Sequence, residues 1–287
     1  MASSFEGVYA AALTPLREDL TIDRRAYAAH CRRLLDEGCD GLAIFGTTGE
    51  ANSFSVGERV SAWQDLVADG IPPETLLPGT GACALTDAVT LTREALAAGA
   101  PGVLALPPFY YKGVSDDGLF AFFAELIERV ADDRLRLFLY HIPPQTILGF
   151  SFALIARLLD AYPGVIAGTK DSSGDAARIE AVCKEFPQLR VFAGTESLLL
   201  DTLRWGGAGC ISATVNVTAP LSAEVFRTRD DAAQARLTAR REHLERFPVI
   251  PALKAIMRHR TGEDTWHVRP PLVGLDDDRA RELLAGL

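Results

Sequence analysis

The stretch "VIAGTKDSSGD" (165–175) is an apolar run that ends in a lysine, an aspartate and a loop of small polar residues. The run is continuously apolar, which is typical of a strand in a parallel sheet that is buried on both faces. Seven further short runs of this kind occur in the chain, separated by longer segments. The eight predicted strands are 8–15, 41–49, 75–82, 102–108, 135–143, 164–170, 190–196 and 209–217.

The segments between the strands are predicted to be helices. Residues 23–38, 85–100 and 115–130 carry apolar residues at three- and four-residue spacing, as amphipathic helices do. Eight strand–helix units predict an α/β fold, a (β/α)8 TIM barrel. A doubly wound open sheet is the alternative, but the units have similar lengths and no G-x-G-x-x-G follows the first strand.

The last part of the chain is predicted to be helical as well. Three segments after the eighth strand, 230–247, 249–260 and 276–287, have helical patterns. The sequence therefore predicts a barrel over residues 1–225 that carries the active site. Residues 226–287 are predicted to form a C-terminal helical extension, or appendage, packed on the barrel.

Charge and cysteine usage narrow the function classes. The 287 residues include 29 Lys+Arg and 38 Asp+Glu, giving a net charge of −9, and the mean hydropathy is +0.11. A general attraction to nucleic acid or to an anionic membrane is not expected at this charge. The five cysteines contain no C-x-x-C pair and the histidines show no ligand spacing, so neither a disulfide scaffold nor a metal site is expected. Without a signal-peptide pattern or a membrane-spanning run, a cytoplasmic location is predicted.

Polar residues close the apolar runs. In a TIM barrel the chemistry lies at the C-terminal ends of the strands, so these residues are predicted to form one ring around the barrel mouth. The ring comprises Thr14, Thr47, Thr48, Gly81, Tyr110, Tyr111, Tyr140, His141, Lys170, Asp171, Glu196 and Asn216.

Lys170 is the most informative member of this ring. Because neighbouring residues of a strand point to opposite faces, Lys170 shares its face with Gly168 rather than with Asp171. Gly168 leaves room for the long side chain. Burial among apolar residues disfavours a charged amine, and a neutral lysine can form a Schiff base with a carbonyl substrate. The alternative is a structural lysine paired with Glu196 or another acid of the ring.

Two neighbouring features fit a reactive lysine. Tyr140 closes the preceding strand, where its phenol could shuttle protons beside Lys170. "GTTGE" (46–50) offers two hydroxyls and consecutive backbone N–H groups that suit a carboxylate, although an ordinary polar turn has the same composition. His141 follows Tyr140 and points to the other side of its strand, so both a substrate contact and a packing role stay open.

Six motifs in order resemble one family. "GTTGE", "PPFYY", "YHIP", "GTKDSSGD", "AGTES" and "GCISATVNV" follow or form successive predicted strands. Together they resemble the dihydrodipicolinate synthase and N-acetylneuraminate lyase superfamily, the class I pyruvate-dependent aldolases, over nearly the whole chain. The resemblance implies a barrel lyase that forms a Schiff base with pyruvate or with a 2-oxo acid that yields pyruvate. It also implies that no metal or organic cofactor is needed.

The resemblance assigns roles to individual residues. Lys170 matches the Schiff-base lysine, and Tyr140 matches the tyrosine that moves protons at the substrate. Thr47 and Thr48 match the pair that binds the pyruvyl carboxylate. Tyr111 matches a relay tyrosine that acts with Thr47 across a subunit interface, so a homotetramer made of two dimers is expected.

The expected substrate depends on the stretch "YHIPPQTI" (140–147). In dihydrodipicolinate synthases this motif usually reads Y-N-x-P-x-R-T-G, and its arginine grips the carboxylate of the aldehyde partner. Here Gln145 stands in place of the arginine, and an amide cannot replace a bidentate, charged guanidinium. Gln145 is instead expected to suit a neutral, hydroxylated tail of the substrate, and His141 stands in place of the usual asparagine. Ile211 matches a residue whose backbone carbonyl faces the site.

Three functions remain open. The favoured one is an aldolase or dehydratase acting on a 2-keto-3-deoxy sugar acid or 4-hydroxy-2-oxoglutarate. The second is 4-hydroxy-tetrahydrodipicolinate synthase, which condenses pyruvate with aspartate semialdehyde. The third, from another class, is a non-catalytic barrel that binds a small carboxylate, since a fold does not determine a function.

Overall fold

The computed structural model describes residues 5–286. Its strands form one parallel sheet in the order β2-β1-β7-β6-β5-β4-β3. They are β1 Gly7–Ala10, β2 Gly41–Leu42, β3 Val103–Ala105, β4 Leu137–His141, β5 Ile166–Asp171, β6 Arg190–Ala193 and β7 Gly209–Ser212. The strands are shorter than the apolar runs that predicted them. Except at β5, which ends one residue after its run, the runs continue past the C-terminal ends of their strands towards the barrel mouth.

The prediction of a regular strand over 75–82 is wrong. This segment makes only two isolated parallel bridges, one from Leu76 to β2 and one from Gly79 to β3. Pro78 has no N–H to donate, which interrupts the ladder, but its carbonyl still accepts from the Leu104 N–H at 2.9 Å. The segment therefore joins the two edge strands and closes the sheet into the predicted α/β TIM barrel.

Helices alternate with the strands and continue beyond them. They are α1 Arg24–Asp36, α2 Val56–Ala68, α3 Leu85–Ala97, α4 Asp116–Val130, α5 Pro143–Thr146, α6 Phe152–Ala161, α7 Ala176–Glu185, α8 Leu199–Arg204, α9 Val215–Thr228, α10 Asp231–Glu245, α11 Val249–Thr261 and α12 Asp277–Ala285. Polar side chains determine where several of them begin, as at α2, where Ser55 and Glu58 form a reciprocal capping box. Between residues 5 and 286, no helix has the length and apolar character needed to cross a bilayer.

The three predicted C-terminal helices correspond to α10, α11 and α12, with residue 287 outside the described part of the chain. The proposed boundary between residues 225 and 226 falls inside α9. The division of the chain at that point, and the assignment of 226–287 as a separate appendage, stay predictions.

Inward and outward residues alternate along the strands even though nearly all are apolar. Phe138 and Phe192 belong to the cluster that fills the barrel, whereas their neighbours on each strand pack outward against the helices. Gly168 pairs with Phe138, and a Cβ on Gly168 would come within 2.4 Å of the Phe138 ring. The glycine therefore makes room for the phenyl ring inside the barrel. Lys170, two residues further on, faces the same interior.

Candidate active site

The pairing of β4 with β5 places Tyr140 directly opposite Lys170. The Lys170 Nζ donates a hydrogen bond to the Tyr140 Oη over 3.1 Å and lies 4.2 Å from the centre of the phenol ring. Both side chains are buried, with 4% and 3% of their surfaces exposed. Within residues 5–286, Lys170 has no carboxylate within ion-pair distance.

The acids of the predicted ring have other partners. Glu196 is fully buried and pairs with Arg241, whose Nη1 lies 2.8 Å from its Oε2. Asp171 pairs with Arg178 over 2.9 Å. The structural alternative, in which Lys170 balances Glu196, is therefore not what the structure contains.

The neighbours of Tyr140 lower the pKa of its phenol. Burial by itself raises the pKa of Tyr140, but the positive charge of Lys170 opposes this. Hydrogen bonds from Thr47, Lys170 and Ser172 add to the effect, and the pKa falls below its ordinary value of 10.0. The Thr47 Oγ1 lies 3.3 Å from the phenol oxygen, so a hydroxyl and an amine both contact the group that would move protons.

The two threonines lie in a loop rather than in a strand. The predicted strand over 41–49 ends with β2, and turns follow. Thr47 and Thr48 both line the cavity above Lys170. Glu50 ends this loop with a φ of 56°, and its buried carboxylate pairs with Lys254. The loop is thereby tied to helix α11.

A cavity of about 1050 Å³ opens at the C-terminal ends of the strands. It brings together Lys170, Tyr140, Thr47, Thr48 and Gln145. Its wall also carries a set of hydroxyl side chains: Ser172, Ser173, Thr195, Ser197 and Thr238. Helices α10 and α11 complete the wall, so the C-terminal part of the chain contributes directly to the site.

A larger depression of about 1330 Å³ lies at the opposite end of the barrel. Ile166 and Arg190, the first residues of β5 and β6, are among its lining residues. None of the predicted site residues lines it. The chemistry of the side chains therefore places the candidate active site at the smaller cavity.

His141 does not line the cavity. Its Nδ1 accepts a hydrogen bond from the Phe150 N–H over 3.0 Å, on the side of β4 opposite to Tyr140. Burial lowers the pKa of His141 to about 4, with Asp171 opposing and Arg178 adding to the effect. The neutral imidazole thus packs against the loop that precedes α6. A contact between His141 and the substrate stays a prediction.

Two further predicted residues also lie outside the cavity of a single chain. Ile211 is fully buried in β7 and belongs to the apolar cluster inside the barrel. Tyr111 is 73% exposed and packs edge-on against Tyr110, with ring centres 5.3 Å apart. Its role would need a second subunit, so it stays a prediction.

Sequence reasoning missed two residues of the site. Ser172 lines the cavity and contributes to lowering the pKa of the Tyr140 phenol. It follows Lys170 by two residues, so strand alternation could have found it. Arg241 lines the cavity from α10. No local pattern marks it, because its position depends on how α10 packs against the loop after β6.

Among residues 5–286, no group of three or more histidine, cysteine, aspartate or glutamate side chains is placed to hold a metal ion.

The match to a known family covers almost the whole chain. The sequence model of the Dihydrodipicolinate synthetase family matches residues 4–287. The chain belongs to this family. The resemblance read from the six motifs is thus confirmed.

Similar proteins carry more than one activity name within the dihydrodipicolinate synthetase family. An uncharacterized DapA-like lyase of Chloroflexus aurantiacus is 34% identical, over 97% of this chain and 95% of its own length. An N-acetylneuraminate lyase of Rhizobium meliloti is 32% identical, over 88% of this chain and 84% of its own length. The crystal structure of a dihydrodipicolinate synthase from Agrobacterium tumefaciens superposes with a TM-score of 0.90 at 37% identity. The superposition covers 98% of this chain and 97% of that one. Membership of the family makes this chain a lyase, and the names alone do not select its substrate.

Replacement of Thr47 tests the environment of the phenol. In Thr47→Ala the phenolate loses a hydrogen-bond donor, so the pKa of Tyr140 should rise towards its ordinary value. The measurement is an ultraviolet titration of tyrosinate, with Tyr140→Phe subtracted to isolate this residue among the six tyrosines. Thr47→Ser, which keeps the hydroxyl, is the matched control and should titrate like the parent. An unchanged Tyr140 titration in Thr47→Ala would contradict the assigned hydrogen bond.

Proposed function

We propose that Lys170 forms a Schiff base with pyruvate, or with the carbonyl of a 2-oxo acid that yields pyruvate. The observation that carries this proposal is the buried Lys170 amine held 3.1 Å from the Tyr140 phenol, without a carboxylate partner in the described chain. An amine in this setting is available as a nucleophile, and the phenol is within reach of its protons.

The reaction follows from these groups. The amine adds to the 2-oxo carbon, water leaves, and a protonated imine forms. In cleavage, the C4 hydroxyl gives its proton to the Tyr140 phenolate while the C3–C4 bond breaks and its electron pair enters the imine as an enamine. The C4 fragment leaves as an aldehyde. The enamine then takes at C3 the proton that Tyr140 received, which restores the phenolate and the imine, and water hydrolyses the imine to release pyruvate and free Lys170.

Other residues hold the substrate in place for these steps. Thr48 and its backbone N–H would bind the pyruvyl carboxylate, which orients the carbonyl towards the amine. Thr47 contacts the phenol and would pass protons on to Tyr111 of a neighbouring subunit. The backbone carbonyl of Ile211 is proposed to face the bound substrate from β7.

The cavity favours a neutral, hydroxylated tail. Gln145 and a set of serine and threonine side chains line it, and these groups donate and accept hydrogen bonds without charge. Among the residues that the structure describes, its basic side chains are Lys170, which the reaction uses, and Arg241, which already pairs with Glu196 and Glu245. We therefore favour a 2-keto-3-deoxy sugar acid over 4-hydroxy-2-oxoglutarate, whose second carboxylate lacks a free cation.

Borohydride trapping tests the Schiff base. Reduction in the presence of pyruvate should attach the three-carbon group to Lys170, because borohydride converts the imine into a secondary amine that water does not hydrolyse. Peptide mapping is decisive here, since the chain has only four lysines: Lys112, Lys170, Lys184 and Lys254. The buried Lys254, which pairs with Glu50, is the internal control and should stay unlabelled. No label, or a label on another lysine, would overturn the proposal and favour a non-catalytic carboxylate-binding barrel.

The substrate assignment is tested at Gln145. In Gln145→Arg, a guanidinium would enter the cavity, and kcat/KM for pyruvate with aspartate semialdehyde should rise about tenfold or more. Gln145→Leu is the matched control, because it removes the amide without adding charge, and no such rise is expected. If the parent enzyme already prefers aspartate semialdehyde to 2-keto-3-deoxy sugar acids, then 4-hydroxy-tetrahydrodipicolinate synthase is the correct function.

We also propose that the protein is a homotetramer made of two dimers. Tyr110 and Tyr111 are both more than 70% exposed, and Ile147 is 70% exposed. Large exposed side chains of this kind are typical of surfaces that a partner covers. In the proposed dimer, each subunit places Tyr111 into the site of its neighbour.

Co-expression of two inactive chains tests this exchange. Tyr111→Phe keeps Lys170, and Lys170→Ala keeps Tyr111, so a mixed dimer holds one site with both residues intact. Random mixing should therefore restore activity at about one quarter of all sites in two-fold symmetric dimers. If the mixture has only the summed activity of its parents, Tyr111 does not act across the interface. Light scattering of the parent should give the mass of a tetramer.

A further inference from the structure

We propose that the Nη2 of Arg241 donates a hydrogen bond to a hydroxyl on the tail of the substrate, which makes Arg241 a specificity-determining residue. This inference rests on the proposed function and deepens it, because it assigns the group that recognises a hydroxylated tail. Arg241 lies in α10 and lines the same cavity as Lys170 and Gln145.

The guanidinium of Arg241 is held rigidly on one side. Its Nη1 donates to Glu196 over 2.8 Å, to Ser212 over 2.7 Å and to Thr214 over 2.9 Å. Its Nε donates to Glu245 over 2.8 Å. The planar group therefore has a fixed orientation, and only 12% of the side chain is exposed.

The other side of the guanidinium is available. In the part of the chain that the structure describes, no atom accepts a hydrogen bond from Nη2, and Nη2 is not among the enclosed atoms that lack a partner. Since the side chain lines the cavity, Nη2 has access to a ligand there. A pre-oriented donor of this kind loses little conformational entropy when it binds.

The charge around Arg241 selects the kind of acceptor. Glu196 and Glu245 already contribute two carboxylates to one guanidinium, and Glu242 is a further acid on the cavity wall. A substrate carboxylate would add another negative charge at this place and would be repelled. A neutral hydroxyl accepts the hydrogen bond without this cost, which fits the hydroxyl-rich wall nearby.

A purely structural role for Arg241 makes a different prediction. Glu196 is buried and also accepts from Ser212, Thr214 and Thr218, so Arg241 could serve only to neutralise it. In that case a lysine at position 241 would pair with Glu196 and leave substrate selectivity unchanged. The Arg241→Lys variant keeps a positive charge next to Glu196 and removes Nη2, and it therefore separates the two roles.

The experiment measures kcat/KM for aldol addition of pyruvate to three aldehydes of similar size. Glyceraldehyde carries hydroxyls, propanal is apolar, and succinic semialdehyde carries a carboxylate. In Arg241→Lys, kcat/KM for glyceraldehyde should fall about tenfold or more, and that for propanal by less than about twofold. The KM for pyruvate and the borohydride labelling of Lys170 should not change. Arg236→Lys on the same helix, where Arg236 pairs with Glu224 at the surface, is the matched control.

A second variant keeps the test decisive if Arg241→Lys does not fold. Glu245 is 50% exposed, and Glu245→Gln removes one of the two carboxylates on the guanidinium without emptying a buried position. Activity with succinic semialdehyde should then rise relative to propanal, since less negative charge opposes the anion. An unchanged ratio would overturn the inference.

Each other outcome is informative. An equal loss for all three aldehydes in Arg241→Lys means that Arg241 is structural, and a loss confined to succinic semialdehyde means that it binds an anion. Both results overturn the inference. If borohydride fails to label Lys170 in the parent enzyme, the proposed function itself fails. If labelling persists while selectivity is unchanged, only the role of Arg241 is lost.

Discussion

The register between β4 and β5 is the constraint on which the candidate site depends. It places the Tyr140 phenol opposite the Lys170 amine, and it is held by the Phe138 ring, which occupies the space that Gly168 leaves free. A slip of one residue would turn every side chain of a strand to the other face. The amine would then leave the barrel interior and meet the outer helices. The packing of Phe138 against Gly168 lies two residues before Tyr140 and Lys170 on their strands. It therefore determines the register that gives the 3.1 Å contact between the Lys170 amine and the Tyr140 phenol.

The surrounding charges are arranged so that Lys170 keeps its amine free. Three buried acids near the barrel mouth have cations of their own: Glu196 with Arg241, Asp171 with Arg178, and Glu50 with Lys254. Breaking such a pair would leave an uncompensated charge in the interior, which is strongly destabilising. Each acid is thus held by its partner, and the phenol is the polar group left beside Lys170. The same pairs anchor the loops that carry Thr47, Thr48 and the hydroxyl-rich wall.

The C-terminal helices belong to the site as much as the strands do. Helix α11 reaches the threonine loop through Lys254, and α10 brings Arg241 to the cavity. In the proposed reaction, the strand ends supply the groups that act on the pyruvyl part, and α5 and α10 line the cavity where the rest of the substrate would lie. Under this proposal, the reacting carbonyl and the tail of the substrate would meet different elements of the fold, which is compatible with one barrel serving relatives of different activity names.

The sequence by itself determined that Lys170 faces the barrel interior and that Asp171 faces away from it, because strand alternation is a local rule. The space at Gly168, which the sequence predicted to serve the Lys170 side chain, is filled by the Phe138 ring instead. It also predicted the barrel and the helix positions through periodicity. Local reasoning could have added Ser172, but it overestimated the strand around Pro78, whose missing N–H outweighed the apolar pattern. Only the tertiary structure decided that Arg241 meets Glu196, 45 residues earlier in the chain, and lines the cavity. Such contacts depend on how separate elements pack in three dimensions, and no spacing within the sequence encodes that distance.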